Sequence, residues 1–156
     1  MKTIIYSFIA CITLLSGSSV KAQNDSTDKQ AMQMLTEFYT AYNTAWAVHS
    51  APDVLIKRLD SLQSKYCTIK LRAILKKEFK KNGLDHDLLL NDQGTDIEHL
   101  KTLTVTKDAT KSNAYIVSYT VHTTRGYKPI DIKVIIHVSV VKEHGKLKIA
   151  STDMSK

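Results

Sequence analysis

Only two cysteines stand in the 156 residues, and one of them, Cys11, lies in an apolar N-terminal stretch. Neither a paired-cysteine metal motif nor an intramolecular disulfide framework can be drawn from so few. A glycine-rich phosphate loop is missing, as is the nucleophile elbow of the hydrolases, which removes the familiar signatures of nucleotide binding and of serine-based acyl transfer. No apolar run approaches the roughly 20 residues that a membrane-spanning helix needs, so an integral membrane protein is not expected. Acidic residues are the minority, 15 against 22 Lys and Arg, giving a formal net charge of +7. Hydrophobic content of 43% with 24% charged residues is ordinary for one globular domain with a real core.

The N-terminus has its own logic. Lys2 precedes an apolar run from Ile4 to Leu15, and small residues follow up to Ala22. This is the pattern of a secretory signal cut after Ala22, with Val20 and Ala22 at the positions that require small side chains. The expected organisation is a signal peptide over 1–22 and one α+β domain over 23–156, periplasmic or extracellular in location. Lipid anchoring through Cys11 is the competing reading, but apolar residues continue past it to Leu15, so the cysteine does not end the apolar segment. Cleavage removes Lys2 and Lys21 and lowers the charge from +7 to +5. Cys67 is then the one cysteine of the mature chain, expected as a small buried hydrophobe.

Periodicity splits the rest in two. From about Asp28, Ala31, Leu35, Phe38, Tyr42, Ala45, Trp46 and His49 fall on one face of a helix, opposite Gln33, Glu37, Thr40 and Thr44. Ser50 and Pro52 predict the start of a second helix with Leu55, Ile56, Leu59 and Leu62 inward. A third is expected from Thr68 to Lys81, ended by Gly83, with Leu71, Ile74, Leu75 and Phe79 buried and lysines on the other side. Glu78 points toward that buried side, where a carboxylate needs a partner or water. A lysine-covered helix is most simply a solvated face, and together with export this argues against nucleic acid as a partner.

Beyond a connection at 83–96 the period becomes two. Strands are predicted over 100–107, 113–124, 128–142 and 146–151, forming an antiparallel meander. A turn at Arg125-Gly126 would pair Tyr119 with Ile132, and one at His144-Gly145 would pair Val140 with Ile149 and Val138 with Ser151.

Phe38-Tyr39-Thr40-Ala41-Tyr42, Asp87 to Gln93, and Leu100 to Val105 carry a family resemblance. The chain resembles the nuclear-transport-factor-2-like superfamily, and within it a family of secreted bacterial proteins known as a domain of unknown function. The resemblance implies a cone-shaped α+β fold, with N-terminal helices packed on a curled four-stranded antiparallel sheet. It implies no particular activity, because that superfamily holds isomerases, dehydratases and plain binding modules. Members of the family place aromatics in the connecting segment where this chain has leucines.

Candidate site residues follow from side-chain chemistry. Tyr39, Tyr42 and Trp46 form an aromatic edge with polar tips, able to line a cone together with Tyr119. Glu78, Asp87 and Asp92, with His49, are the candidates for acid–base work. Asp85, Asp87 and Asp92 break the spacing of a calcium loop, and His86, Asp87 and His99 match no zinc spacing, so no metal or other cofactor is expected. The leading expectation is a non-enzymatic module that binds a small molecule or peptide. Its rivals are an acid–base enzyme using Glu78 or Asp87 with His49, and an envelope interaction module of the inhibitor or immunity type with a protein partner.

Overall fold

The computed structural model describes residues 17–90 and 96–154, with side chains from Asp25 to Leu90 and from Asp96 to Asp153. Asp92 and the N-terminal residues through Ser16, Cys11 included, lie outside the described residues. Three helices come first: α1 (Gly17–Ala47), α2 (Pro52–Tyr66) and α3 (Ile69–Asn82). A short 3₁₀ helix (Ile97–Thr102) then leads into β1 (Thr104–Lys107), β2 (Ala114–Arg125), β3 (Lys128–Glu143) and β4 (Lys146–Met154). The strands form one antiparallel sheet in the order β1-β2-β3-β4. Helices packed on a curled four-stranded meander make this an α+β fold, as expected. No helix among the described residues is long and apolar enough to cross a membrane.

The core forms where α1 meets the inner sheet face. Ala31, Leu35, Phe38, Tyr42 and Ala45 are buried, as the helical period requires. Tyr39 and Asn43, one turn apart, are buried as well. They are enclosed because α1 packs against α2 on one side and against β1 and the 3₁₀ helix on another, which widens its covered arc. Tyr115, Val117, Tyr119, Ile136, Val138 and Ile149 meet it from the sheet. The N-terminal half of α1 is tied down by Asp28, whose Oδ1 accepts from Lys107 Nζ at 2.8 Å and from Tyr115 Oη at 2.7 Å. Those bonds, Lys107 first, hold the Asp28 carboxyl below the usual range.

Several local expectations need correction. α1 ends at Ala47, and His49 lies exposed beyond it. The residue before α2 is Ala51, with no side-chain cap, while Ser50 Oγ turns back to donate to Val48 O at 3.2 Å. The α3 boundaries hold: Thr68 Oγ1 caps the Leu71 amide, and Gly83 takes a positive φ of 63° at the far end. The inward face of α3 is narrower than its apolar residues suggest, however. Leu71 and Leu75 are buried, but Ile74 is 44% and Phe79 39% exposed. Residues 97–102 form a 3₁₀ turn instead of the start of a strand, because Asp96 accepts from the Glu98 amide and His99 Nδ1 accepts from the Asp96 amide.

Hairpin register differs in two informative places. Arg125 pairs with Lys128, so the turn is Gly126-Tyr127 and Tyr119 faces Val134, not Ile132. A turn at Arg125-Gly126 would impose a positive φ on arginine, whereas Gly126 at the first central position carries it (65°) without cost. The pairing moves by two, so each side chain keeps its face. At the β3–β4 hairpin Val140 does face Ile149, but a bulge follows at Ala150, and Val138 meets Thr152, not Ser151. The bulge turns Thr152 inward, where its Oγ1 donates to Leu88 O at 3.0 Å.

Candidate functional site

The described part of the connection after α3, residues 83–90, is held by bonds from the helices and the sheet. Asp87 is its anchor. Its Oδ1 accepts from the Leu89 amide at 2.8 Å, an aspartate-turn bond local to the segment. Its Oδ2 accepts from Tyr42 Oη at 2.7 Å and from Trp46 Nε1 at 3.3 Å, reaching one face of α1 across 45 and 41 residues of sequence. Tyr42 Oη in turn accepts from Gln63 Nε2 of α2 at 2.9 Å. Tyr39 Oη donates to Leu89 O at 3.2 Å, and Thr152 secures Leu88 from the sheet. Leu89 and Leu90 are buried, so the leucine run plugs the junction between helices and sheet.

Burial pushes the Asp87 carboxyl above its usual range, against the donors that favour its charged form. Tyr39 and Tyr42 are pushed well above the ordinary phenol range, mainly by burial. Both phenols therefore stay protonated and serve as donors.

A half-open cleft of about 500 Å³ lies between α2, α3 and this anchored connection. Trp46, Ile56, Leu59, Leu75, Phe79 and Leu88 give it apolar walls. Polar and charged side chains border it as well, among them Asp60, Gln63, Arg72, Glu78, His86 and Asp87. The α2–α3 pair forming its sides is fixed to the sheet at one end only. The Thr68 amide donates to Ile149 O at 2.9 Å, the Ile69 amide to the Glu143 carboxylate at 3.3 Å, and Lys148 Nζ to Ser64 O at 3.2 Å, near the last turn of α2. Cys67, at this junction, is only 2% exposed, and burial raises its thiol to about 12, so it packs as a hydrophobe.

The expected site residues divide accordingly. Trp46, Glu78 and Asp87 border the cleft. Tyr39, Tyr42 and Tyr119 do not line an open cone; they are core residues, because the inner sheet face is filled by α1. Tyr119 stacks on the buried His99, with ring centroids 5.6 Å apart. His49 stands outside the lining and makes no bond to either candidate carboxylate. Glu78 accepts from Asn82 Nδ2 at 3.2 Å. Among the described residues, His49 is therefore not paired with Glu78 or Asp87 as acid–base chemistry would require. Among the described residues no group of three or more His, Cys, Asp or Glu could hold a metal ion.

Gln63, Arg72, Leu59, Phe79 and Leu84 were not foreseen as site residues. Of the apolar α3 residues outside the buried pair Leu71 and Leu75, Ile69 and Phe79 line the cleft, and no pattern in the sequence sets them apart.

Fold and cleft together define an α+β protein with an apolar cavity at its helical end. The chain matches no family model and no curated protein. It is similar in structure to a crystal structure of a protein of unknown function from Bacteroides thetaiotaomicron VPI-5482, with a TM-score of 0.73 and 22% identity. That similarity covers 88% of this chain and 99% of the other, and it concerns the fold.

Proposed function

We propose that this is an exported, non-enzymatic binding module of the nuclear-transport-factor-2-like class, belonging to the secreted family of unknown function that its motifs resemble. It holds a small molecule in the cleft between α2 and α3. The observation that carries the reading is the cleft itself: about 500 Å³, with apolar walls and polar groups along its border, which is the size and character of ligand sites in general. Asp87 is a structural anchor in this reading and not a general base, since both its oxygens are taken by donors of the fold.

Trp46 is the single tryptophan and borders the cleft, which supplies an internal reporter. The neutral probe N-phenyl-1-naphthylamine should gain fluorescence on binding and accept energy from Trp46. Ala73, an exposed α3 residue on the cleft wall, offers a way to close it. Ala73→Phe should weaken probe binding about tenfold or more while leaving the far-ultraviolet circular dichroism unchanged, a loss on the scale of one or two well-packed contacts. Absence of probe binding by the wild type, or equal binding by the variant, overturns the reading. Export rests on the charged start, apolar segment and small-residue exit at Ala22. N-terminal sequencing of the chain made by expressing cells should begin at Gln23, and an intact Met1 end refutes it.

A further inference from the structure

We infer that the cleft takes an amphipath with a single alkyl chain and an anionic head, carboxylate or phosphate, the head being held by Arg72. This rests on the reading of the cleft as a ligand site and adds the chemistry of what fills it.

Arg72 stands on the cleft wall with a side chain only 37% exposed. Its nearest acid, Asp60 of α2, is 3.8 Å away and 65% exposed, an ion pair too long to be a hydrogen bond. Among the described residues the guanidinium makes no hydrogen bond, so its planar fork of N–H donors is open to a ligand at the cleft wall. A carboxylate or phosphate is the group that such a fork matches with two parallel bonds.

Charge around the mouth points the same way. Of the six cationic residues on α3, Arg72 and Lys76 line the cleft. Lys57 of α2 lines it as well. Three acids share the lining: Asp60 pairs with Arg72 only at 3.8 Å, Glu78 is engaged by Asn82, and Asp87 has its oxygens occupied. Beside these charges Leu59, Leu75, Phe79, Leu88 and Trp46 give the cleft its apolar walls. An alkyl chain gains about 0.8 kcal/mol for each methylene buried on such a surface.

Four ligands of equal chain length test this, each followed by Trp46 fluorescence below its micelle concentration: decanoate, decyl phosphate, decanol and decyltrimethylammonium. The two anions should bind at least tenfold tighter than the cation and should weaken as salt rises. Arg72→Gln should abolish that preference while keeping decanol binding. Whichever anion is held more tightly then distinguishes a fatty-acid head from a phosphate head. Decanol binding without preference for the anions overturns the inference and leaves the cleft as a ligand site. If none of the four binds, the ligand site itself falls. An undiminished anion preference in Arg72→Gln with salt-independent binding also refutes the assignment.

Discussion

Asp87→Ala should destabilise the protein by about 3 kcal/mol in chemical denaturation, a large effect for a residue outside the hydrophobic core. Two enclosed donors lose their acceptor at once, the Leu89 amide and Tyr42 Oη. Each buried group left unsatisfied costs about 1–3 kcal/mol. Tyr42 Oη still accepts from Gln63, but its own proton then has no acceptor. Trp46 Nε1, at 3.3 Å and half-exposed, can turn to water and adds little. Removing a carboxylate that burial disfavours returns part of the loss, which is why the expected figure lies below the simple sum.

The pH dependence has a definite sign. The folded-state pKa of Asp87 is raised, so its protonated form is the one the fold favours. Stability attached to this group is fully present below the unfolded carboxylate pKa, about 3.9, and is lost as pH rises through the higher folded value. The gap between wild type and Asp87→Ala should therefore widen as pH falls through that window. Asp28, whose pKa is lowered, acts in the opposite sense but equally in both proteins, so it cancels in the difference. A variant within 1 kcal/mol of wild type, or a gap that narrows on acidification, contradicts the anchoring role.

The anchor also marks the boundary of what the sequence reveals. The aspartates of the connection, the leucine plug and the apolar stripe of α1 can be read because each is a local pattern. The bonds from Tyr42 and Trp46 to Asp87 cannot, since they join positions 45 and 41 residues apart. The tyrosines were chosen for their polar tips, and those tips do bind polar partners, but partners within the fold. Tyr39 and Asn43 were missed as core because a single-face helix pattern presumes one packing partner, whereas α1 has neighbours on more than one side. Asn43 shows what that costs: its Nδ2 donates to Tyr39 O at 2.7 Å, while its buried Oδ1 has no partner among the described residues. Strand faces were legible, but register was legible only beside the β3–β4 turn, where Val140 meets Ile149 as expected. Alternation fixes parity, so a shift of two escapes it, while a bulge such as Ala150 reverses parity beyond it without a local signal. The cleft was illegible because a wall made of two helices and a loop has no period of its own.

Phe38→Ala is expected to be the most damaging single substitution, at about 4 kcal/mol. The ring is fully buried, and its centroid lies 5.0 Å from Tyr42, 5.1 Å from Tyr39 and 5.4 Å from Tyr66. Truncation forfeits burial, leaves a cavity and removes three edge or tilted ring contacts, each worth about 0.5–1.5 kcal/mol beyond area. Ile74→Ala on the exposed side of α3 should stay within about 0.5 kcal/mol of wild type, which controls for general loss of apolar content. The three rings come from α1 and α2, so the damage should reach the Asp87 anchor through Tyr42. Phe38→Ala and Asp87→Ala should then cost less together than the sum of their separate effects, by about 0.5 kcal/mol or more, because both release the same phenol. Strict additivity would place Phe38 and Asp87 in independent parts of the structure and separate the core from the floor of the cleft.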